Sequence, residues 1–413
     1  MTSIGAQIKC GDTVNTMYTY SGSKMFAGLA TSANALVAEY KPGDTIEITA
    51  ETTFYVVENI IIPKRHSSLN ELFTNIAAVI REKTGDTTSI IANDFPNMIR
   101  ERLQMIPPSA PYLTFSSPSS FTLAINDATK HWDGILECST DTSTWSIWDG
   151  TTTLSSAISG SDNVLYLRGT GNTVITGNNS SYRWVLTGSD IACIGNIENL
   201  LDYTMVKCRA HPTMANYCYS FMFYDCTRLT QAPELPATTL SSNCYQNMFY
   251  NCTGLTKAPE LPATTLNNYC YNGMFRSCTN LTQAPELPAT TLANHCYQNM
   301  FYDCDSLTQA PSVLPATTLA SNCYQDMFYR CNSLTQAPSL PATTLATSCY
   351  KEMFSGCTNL TQAPELPATK LEKYCYDTMF SYCISLTQAP KLPATMLASY
   401  CYRNMFSRCT SLT

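Results

Sequence analysis

Apolar and polar positions from Cys218 to the last residue follow one repeated unit, C-Y-x-x-M-F-x-x-C-x-x-L-T-Q-A-P-x-L-P-A-T-T-L. It begins at Cys218, Cys244, Cys270, Cys296, Cys323, Cys349, Cys375 and Cys401, in steps of 26 residues with a single step of 27 where Val313 lengthens a turn. A fixed period of this size means that each unit buries its apolar side against its neighbours, so the pattern predicts a solenoid. At about 100° per residue, Cys244, Tyr245, Met248, Phe249 and Cys252 share an arc of roughly 140°, which predicts a short amphipathic helix. Leu255–Pro259 then reads as a brief strand, cut short because Pro259 and Pro262 cannot donate to a ladder. The expected coil is one strand and one helical turn.

The remaining chain alternates differently. Residues 110–203 carry short runs such as Tyr112–Phe115, Phe121–Ile125, Gly134–Cys138, Val164–Leu167 and Tyr182–Leu186, punctuated by Gly, Asp and Ser. That spacing predicts an immunoglobulin-like β-sandwich, with Cys138 and Cys193 as a conceivable inter-sheet pair. Ile194–Leu201 is expected to lead into the solenoid and cover its first unit. Residues 1–66 are β-like, with strand candidates at 17–20, 45–48 and 54–57. Over 67–109, Leu69, Leu72, Phe73, Ile76, Val79 and Ile80 recur at helical spacing, ending at Lys83-Thr84-Gly85. A second short helix is expected around Asn97–Leu103. This apolar stripe suits either a seam between three chains or a local core. The expected organisation is therefore mostly β, with short helices: an N-terminal β attachment domain (1–66), a helical linker or oligomerisation segment (67–109), the sandwich (110–203), and an α/β solenoid (204–413).

Composition narrows the chemistry. Charged residues make up 13% of the chain and the net charge is −7, which argues against nucleic acid, since phosphate binding needs a basic patch. No apolar run is long enough to insert into a membrane, and the first residues lack the pattern of a secretory leader. Of the 20 cysteines, 16 stand in two columns at C-x7-C. Two helical turns, about 12 Å, would separate the two in one unit, too far for a disulfide. Buried free thiols are the simplest reading; bridges between stacked units and metal binding are the alternatives, and C-x7-C is not a zinc spacing.

Met248-Phe249-Tyr250-Asn251-Cys252-Thr253-Gly254-Leu255 and its seven counterparts resemble leucine-rich repeats of the BspA-like class, differing in Ala258 and Pro259 where the strand normally has Ile or Leu. The Q-A-P-x-L-P-A-T-T-L form looks like one seen in gut bacteria and their phages. Ile76–Gly85 followed by Ile91–Ile99 is similar to a helical element of phage tail and fibre proteins. These resemblances imply a non-enzymatic virion fibre or appendage protein on the virion surface. Its N-terminal part would contact capsid or tail proteins, its repeats would hold a host-surface glycan or protein, and a homotrimer is expected. A head or tail decoration protein, or a truncated BspA-like adhesin on a bacterial surface, are the other readings. The chain stops within a unit, at Ser411-Leu412-Thr413, so another chain or further sequence is expected to cover that end.

Candidate contact residues are those that vary between units just before and within the expected helix: Tyr269, Asn272, His295, Gln298, Lys351, Glu352, Lys373, Tyr374, Arg403 and Asn404. Drift on a solvated face would give the same variation. Trp145 and Trp148 are candidates for stacking on sugar rings, or else core residues. No phosphate loop, H-E-x-x-H or G-x-S-x-G motif is present. The four histidines, His66, His131, His211 and His295, are scattered through different units, and neither a catalytic residue nor a cofactor or metal is expected. Asp133 with Glu137 or Asp141 are the acidic pairs that folding could assemble for glycoside hydrolysis.

Overall fold

The computed structural model describes residues 110–413 and four short strands before them. The chain divides into two compact units, Met1–Pro108 and Ser109–Thr413. In the first, β1 (Thr13–Asn15) pairs antiparallel with β3 (Thr45–Glu47), and β2 (Leu29–Ala30) with β4 (Tyr55–Val56). The last two of these strands fall within the sequence candidates at 45–48 and 54–57. The candidate at 17–20, both expected helices and the phage-like segment lie outside the described residues.

The second unit opens with strands whose side chains alternate in and out. They are β5 (Leu113–Ser117), β6 (Thr122–Ile125), β7 (Ile135–Ser139), β8 (Ser146–Trp148), β9 (Leu154–Ser155), β10 (Ala157–Ser159), β11 (Asp162–Thr170), β12 (Trp184–Thr187) and β13 (Ile191–Ile194). One sheet runs β13-β5-β11-β7-β8, with β10 beside β11; the other runs β12-β6-β9. Phe115 from the first sheet meets Trp184 from the second at 6.3 Å between ring centroids, and Trp132, Trp148 and Trp184 fill the space between the sheets. Cys138 and Cys193 are both free thiols, so the conceivable bridge is not formed.

Helix α1 (Asn199–Lys207) packs on β11. Gly169 is required there because a Cβ would run into the Leu200 carbonyl. Buried Asn172 locks the junction: its amide donates to the carbonyls of Ile135 and Leu200 at 2.8 and 2.9 Å, and its Oδ1 accepts from the Gly134 N–H. Every polar atom of this buried amide is thus used, which removes the usual cost of burying one.

The sandwich continues into the repeats without a break in the core. Strand β13 pairs in parallel with β14 (Leu229–Gln231) of the first coil. The backbone N–H of Trp184 donates to the Met222 carbonyl, and the Cys226 thiol donates to the Trp184 carbonyl. Trp184 therefore takes the place that a preceding coil's Phe would hold. Ile197 accepts from the Tyr219 hydroxyl and donates to the Glu234 carbonyl, so the segment around Ile194–Leu201 covers the first coil as expected.

Among the described residues, the segment expected to be helical is not a helix in any coil. Buried residues come in pairs, Cys244-Tyr245, Met248-Phe249 and then Cys252, a period of four rather than 3.6. Each intervening pair ends in a left-handed residue: φ is +60° at Asn243, +51° at Asn247 and +55° at Asn251. The result is a ribbon of consecutive turns. Alternate N–H groups close turns within the coil, as in Met248 to the Tyr245 carbonyl. The others run along the stack, with Tyr245, Asn247, Phe249 and Asn251 donating to the carbonyls of Cys270, Asn272, Met274 and Arg276 at 2.8–2.9 Å. An α-helix would spend all its N–H groups internally, whereas this ribbon shares half of them with its neighbour. Two further columns of single-residue parallel bridges, for example Lys257 to Gln283 and Thr265 to Thr291, complete the stacking; prolines prevent longer strands.

Identical residues consequently stack on identical residues. Tyr219, Tyr245, Tyr271, Tyr297, Tyr324, Tyr350, Tyr376 and Tyr402 form one column of near-parallel rings with centroids 5.6–5.9 Å apart. Phe223 to Phe406 form another at 5.5–5.7 Å. The 16 repeat cysteines are unbridged. From Cys252 onward, each thiol of the second cysteine column donates to the Phe carbonyl of the preceding coil, as Cys304 does to Phe275 at 3.1 Å. Burial pushes these thiols up, Cys278 to about 12. They are weak donors held in place, not nucleophiles.

Candidate binding surface

The period of four also decides what faces solvent. Between the buried pairs, the residues before the first cysteine, those after the tyrosine and those after the phenylalanine form three outward columns, and these hold the variation between coils. Because the ribbon fixes their spacing from coil to coil, side chains meet along the stack.

Four of the sequence candidates converge on the third and fourth coils. Tyr269 and His295 stack face to face at 4.3 Å. Gln298 Oε1 lies 2.8 Å from His295 Nδ1 and accepts from the Asn272 amide at 3.1 Å. Lys351 and Glu352 pair with each other at 3.1 Å. In the last coils Tyr374 stacks on Tyr400 at 5.0 Å, with Lys373 and Arg403 over the rings. Arg403 also forms a two-pronged pair with Asp377, at 2.9 and 2.6 Å. Asn404 stands exposed beside it with φ +52°. The candidates thus form two clusters, one around Tyr269–Gln298 and one around Tyr374–Arg403, with the Lys351–Glu352 pair as a third, separate feature.

Sequence reasoning missed a further column. Tyr224, Tyr250, Arg276, Tyr302 and Tyr329 follow the stacked phenylalanines by one residue. Tyr224 lies 4.5 Å from Tyr250, as does Tyr302 from Tyr329, and the Arg276 guanidinium is 4.1 Å over the Tyr302 ring. Two acids, one fully and one partly buried, were missed as well. Asp377 is fully buried under Arg403. Asp326, on the turn stacked over that of Glu352, has its carboxyl pushed up to about 6, first by burial and then by the Glu352 charge. Alignment of the units would have brought out the tyrosine column, because Tyr224, Tyr250, Arg276, Tyr302 and Tyr329 occupy the same position of successive units.

The two tryptophans divide. Trp148 is only 1% exposed, inside the sandwich with its indole N–H donated to the Thr152 carbonyl, so it cannot present a ring to a sugar. Trp145 is half-buried on the outer face of the larger sheet, where Arg168 lies between it and Tyr203, at 4.0 and 4.5 Å. The acidic pairs considered for hydrolysis are each engaged elsewhere. Asp133 accepts from Thr173 and Val174, and Glu137 pairs with Arg168 at 2.8 Å. Asp141 caps its own loop, where N–H groups of Thr144 and Ser143 hold its carboxyl down at about 2. On the proline-rich side of the first two coils lies an open groove of about 540 Å³, lined by Gln231, Pro233, Glu234, Lys257, Pro259 and Glu260 among others. Among the described residues, no group of His, Cys, Asp or Glu side chains could hold a metal, and no helix is long and apolar enough to cross a membrane.

A stack of coils with one constant, buried side and one variable, outward side defines a repeat protein. Residues 210–335 and 321–413 match the family described as the BspA type leucine rich repeat region, in six copies. The C-terminal half of this chain is a BspA-type leucine-rich repeat region. No curated protein and no solved structure matches the chain.

Proposed function

We propose that this chain is a non-enzymatic adhesive protein that binds a host-surface glycan or protein through the outward columns of its repeats. The observation that carries the reading is the division of labour within each coil. Inward positions repeat the same Cys, Tyr, Met and Phe residues, whereas outward positions bring varied side chains into ordered contact, as at Tyr269, His295 and Gln298, the last held by the buried Asn272 amide. Rigid backbone under variable side chains suits recognition, since little ordering remains to be done on binding.

The resemblance of Ile76–Ile99 to phage fibre elements supports placing the protein on a virion, as a trimeric fibre or appendage anchored through residues 1–109. The immunoglobulin-like sandwich then acts as the rigid joint that carries the repeats. Two experiments test the reading. The full chain should be retained by intact host cells and by their envelope polysaccharide, and labelled antibody should decorate purified particles. Absence of binding to every host fraction would sink adhesion; absence from particles would sink the virion assignment alone.

A further inference from the structure

We infer that Arg276 anchors an oxyanion subsite, so that the ligand of the outward surface is a glycan bearing carboxylate or phosphate groups; this rests on the reading of that surface as a binding face. Three cations on the later coils are paired with acids: Lys351 with Glu352, Lys370 with Glu372 and Arg403 with Asp377. Arg276 forms no ion pair among the described residues. Its Nε is buried and has no hydrogen-bond partner, while its guanidinium is 4.1 Å over the Tyr302 ring and 5.7 Å from that of Tyr250. Rings on two sides strip water from the faces of the group and hold it flat, leaving its terminal N–H groups, beyond the buried Nε, as the part that can bind. A planar guanidinium held this way matches the two oxygens of a carboxylate or phosphate.

The surroundings suit a polymer. Arg183 stands 5.9 Å from the Tyr224 ring and Arg330 5.4 Å from that of Tyr329, so two more guanidinium groups flank the same tyrosine column. Asp303 and Asp326 are the nearby acids; Asp303 feels the charge of Arg330 more than that of Arg276, and Asp326 feels Glu352 and Lys351 more than Arg276. The half-buried Gln298, on the coil of Tyr302 and held in place by the buried Asn272 amide, offers hydrogen bonds of the sort sugar hydroxyls take. Repeated charges on a linear glycan would meet repeated positions on the coils.

The test measures binding of the full chain to an oligogalacturonate, to its neutral methyl ester and to poly(glycerol phosphate). The two acidic probes separate carboxylate from phosphate as the source of the oxyanion. At least one of them should bind about ten- to hundredfold more tightly than the ester, the range expected of charge-assisted hydrogen bonds. Arg276→Gln should bring that probe to the level of the ester, and Arg276→Lys should fall between, keeping the charge without the fork. Lys391→Gln, an exposed change on the proline-rich side, should alter nothing. Failure of both acidic probes to exceed the ester, or unchanged binding by Arg276→Gln, overturns the inference. Retention of host envelope by the same preparation would leave the adhesive reading standing; its loss would remove that reading instead.

Discussion

The sandwich and the coils share one core but bury it by different rules. In the sandwich, Leu113, Phe115, Leu165 and Leu167 face the core from two paired strands, Phe115 opposite Leu165 and Leu113 opposite Leu167, within a mixed set of aromatic and aliphatic side chains. In the coils, buried residues come in twos every four positions, and each meets its own copy 26 or 27 residues away. The first arrangement spreads a loss over many neighbours. The second passes it along one axis, because each coil touches only the coils beside it.

Truncation at the centre of a column is the strongest way to break this contrast. Phe301 is fully buried between Phe275 and Phe328. Phe301→Ala should cost about 3–5 kcal/mol from lost burial and the cavity left behind. Leu123→Ala in the sandwich should cost a comparable 2–5 kcal/mol. The two should differ in cooperativity. Denaturant unfolding of Phe301→Ala should split into two transitions as the stack divides, while Leu123→Ala should lower the first transition without adding one. A single transition for both would show that the coils do not behave as a linear array.

A smaller effect probes the outward side, where an acid has been taken partly out of water. Asp326 accepts a hydrogen bond from Gln325 at 2.9 Å and sits beside Glu352, and its carboxyl is pushed up to about 6. A folded value above the unfolded one means that the folded chain holds the proton more tightly. Stability from this group is therefore full below about pH 4 and is lost as pH rises through about 6. Asp326→Asn should stabilise the chain at pH 7 by on the order of 1–3 kcal/mol, and the gain should vanish near pH 4. Melting temperatures at the two pH values check the sign; equal shifts at both would rule out titration as the cause.

How much of this was legible in the sequence follows from the same geometry. The 26-residue period, the two cysteine columns as free thiols and the buried face of each unit could all be read from spacing alone. The helix could not, because periods of 3.6 and four diverge by only about 10° per residue and the apolar run is short. The clue was composition at the turn positions: Asn247, Gly273, Asn299 and Asp326 all occupy the left-handed conformation that Asn, Asp and Gly tolerate best. Reading those as turn residues would also have put Arg276 and its tyrosines in one outward column. Trp148 was ambiguous for a different reason, since a tryptophan in an alternating run fits core and surface equally until the partner sheet is placed.

Gly273 itself offers a test of the ribbon. Its φ is +59°, and a Cβ would run into the Asn247 side-chain oxygen of the preceding coil. Gly273→Ala should therefore cost about 1–2 kcal/mol, the usual penalty of a left-handed alanine. Were the segment helical, alanine there would instead stabilise the chain, so the sign of the change in melting temperature separates the two geometries.

The smallest effect asks what the tyrosine column gains from its hydroxyls. Phenylalanine would stack equally well, yet eight coils carry tyrosine at this place. In the first coil the hydroxyl has a use, because Tyr219 donates to the Ile197 carbonyl at 3.3 Å and ties the coil to the segment that covers it. Farther along, the buried hydroxyl of Tyr297 has no partner. A buried hydroxyl without a hydrogen bond destabilises, whereas a bonded one contributes modestly. Tyr219→Phe should thus lose about 1 kcal/mol and Tyr297→Phe should gain about as much, a reversal of sign at equivalent positions in two coils. Equal losses at both would mean that the hydroxyl of Tyr297 is satisfied by water held inside the stack, and the column would then be a wetter structure than its ring spacing suggests.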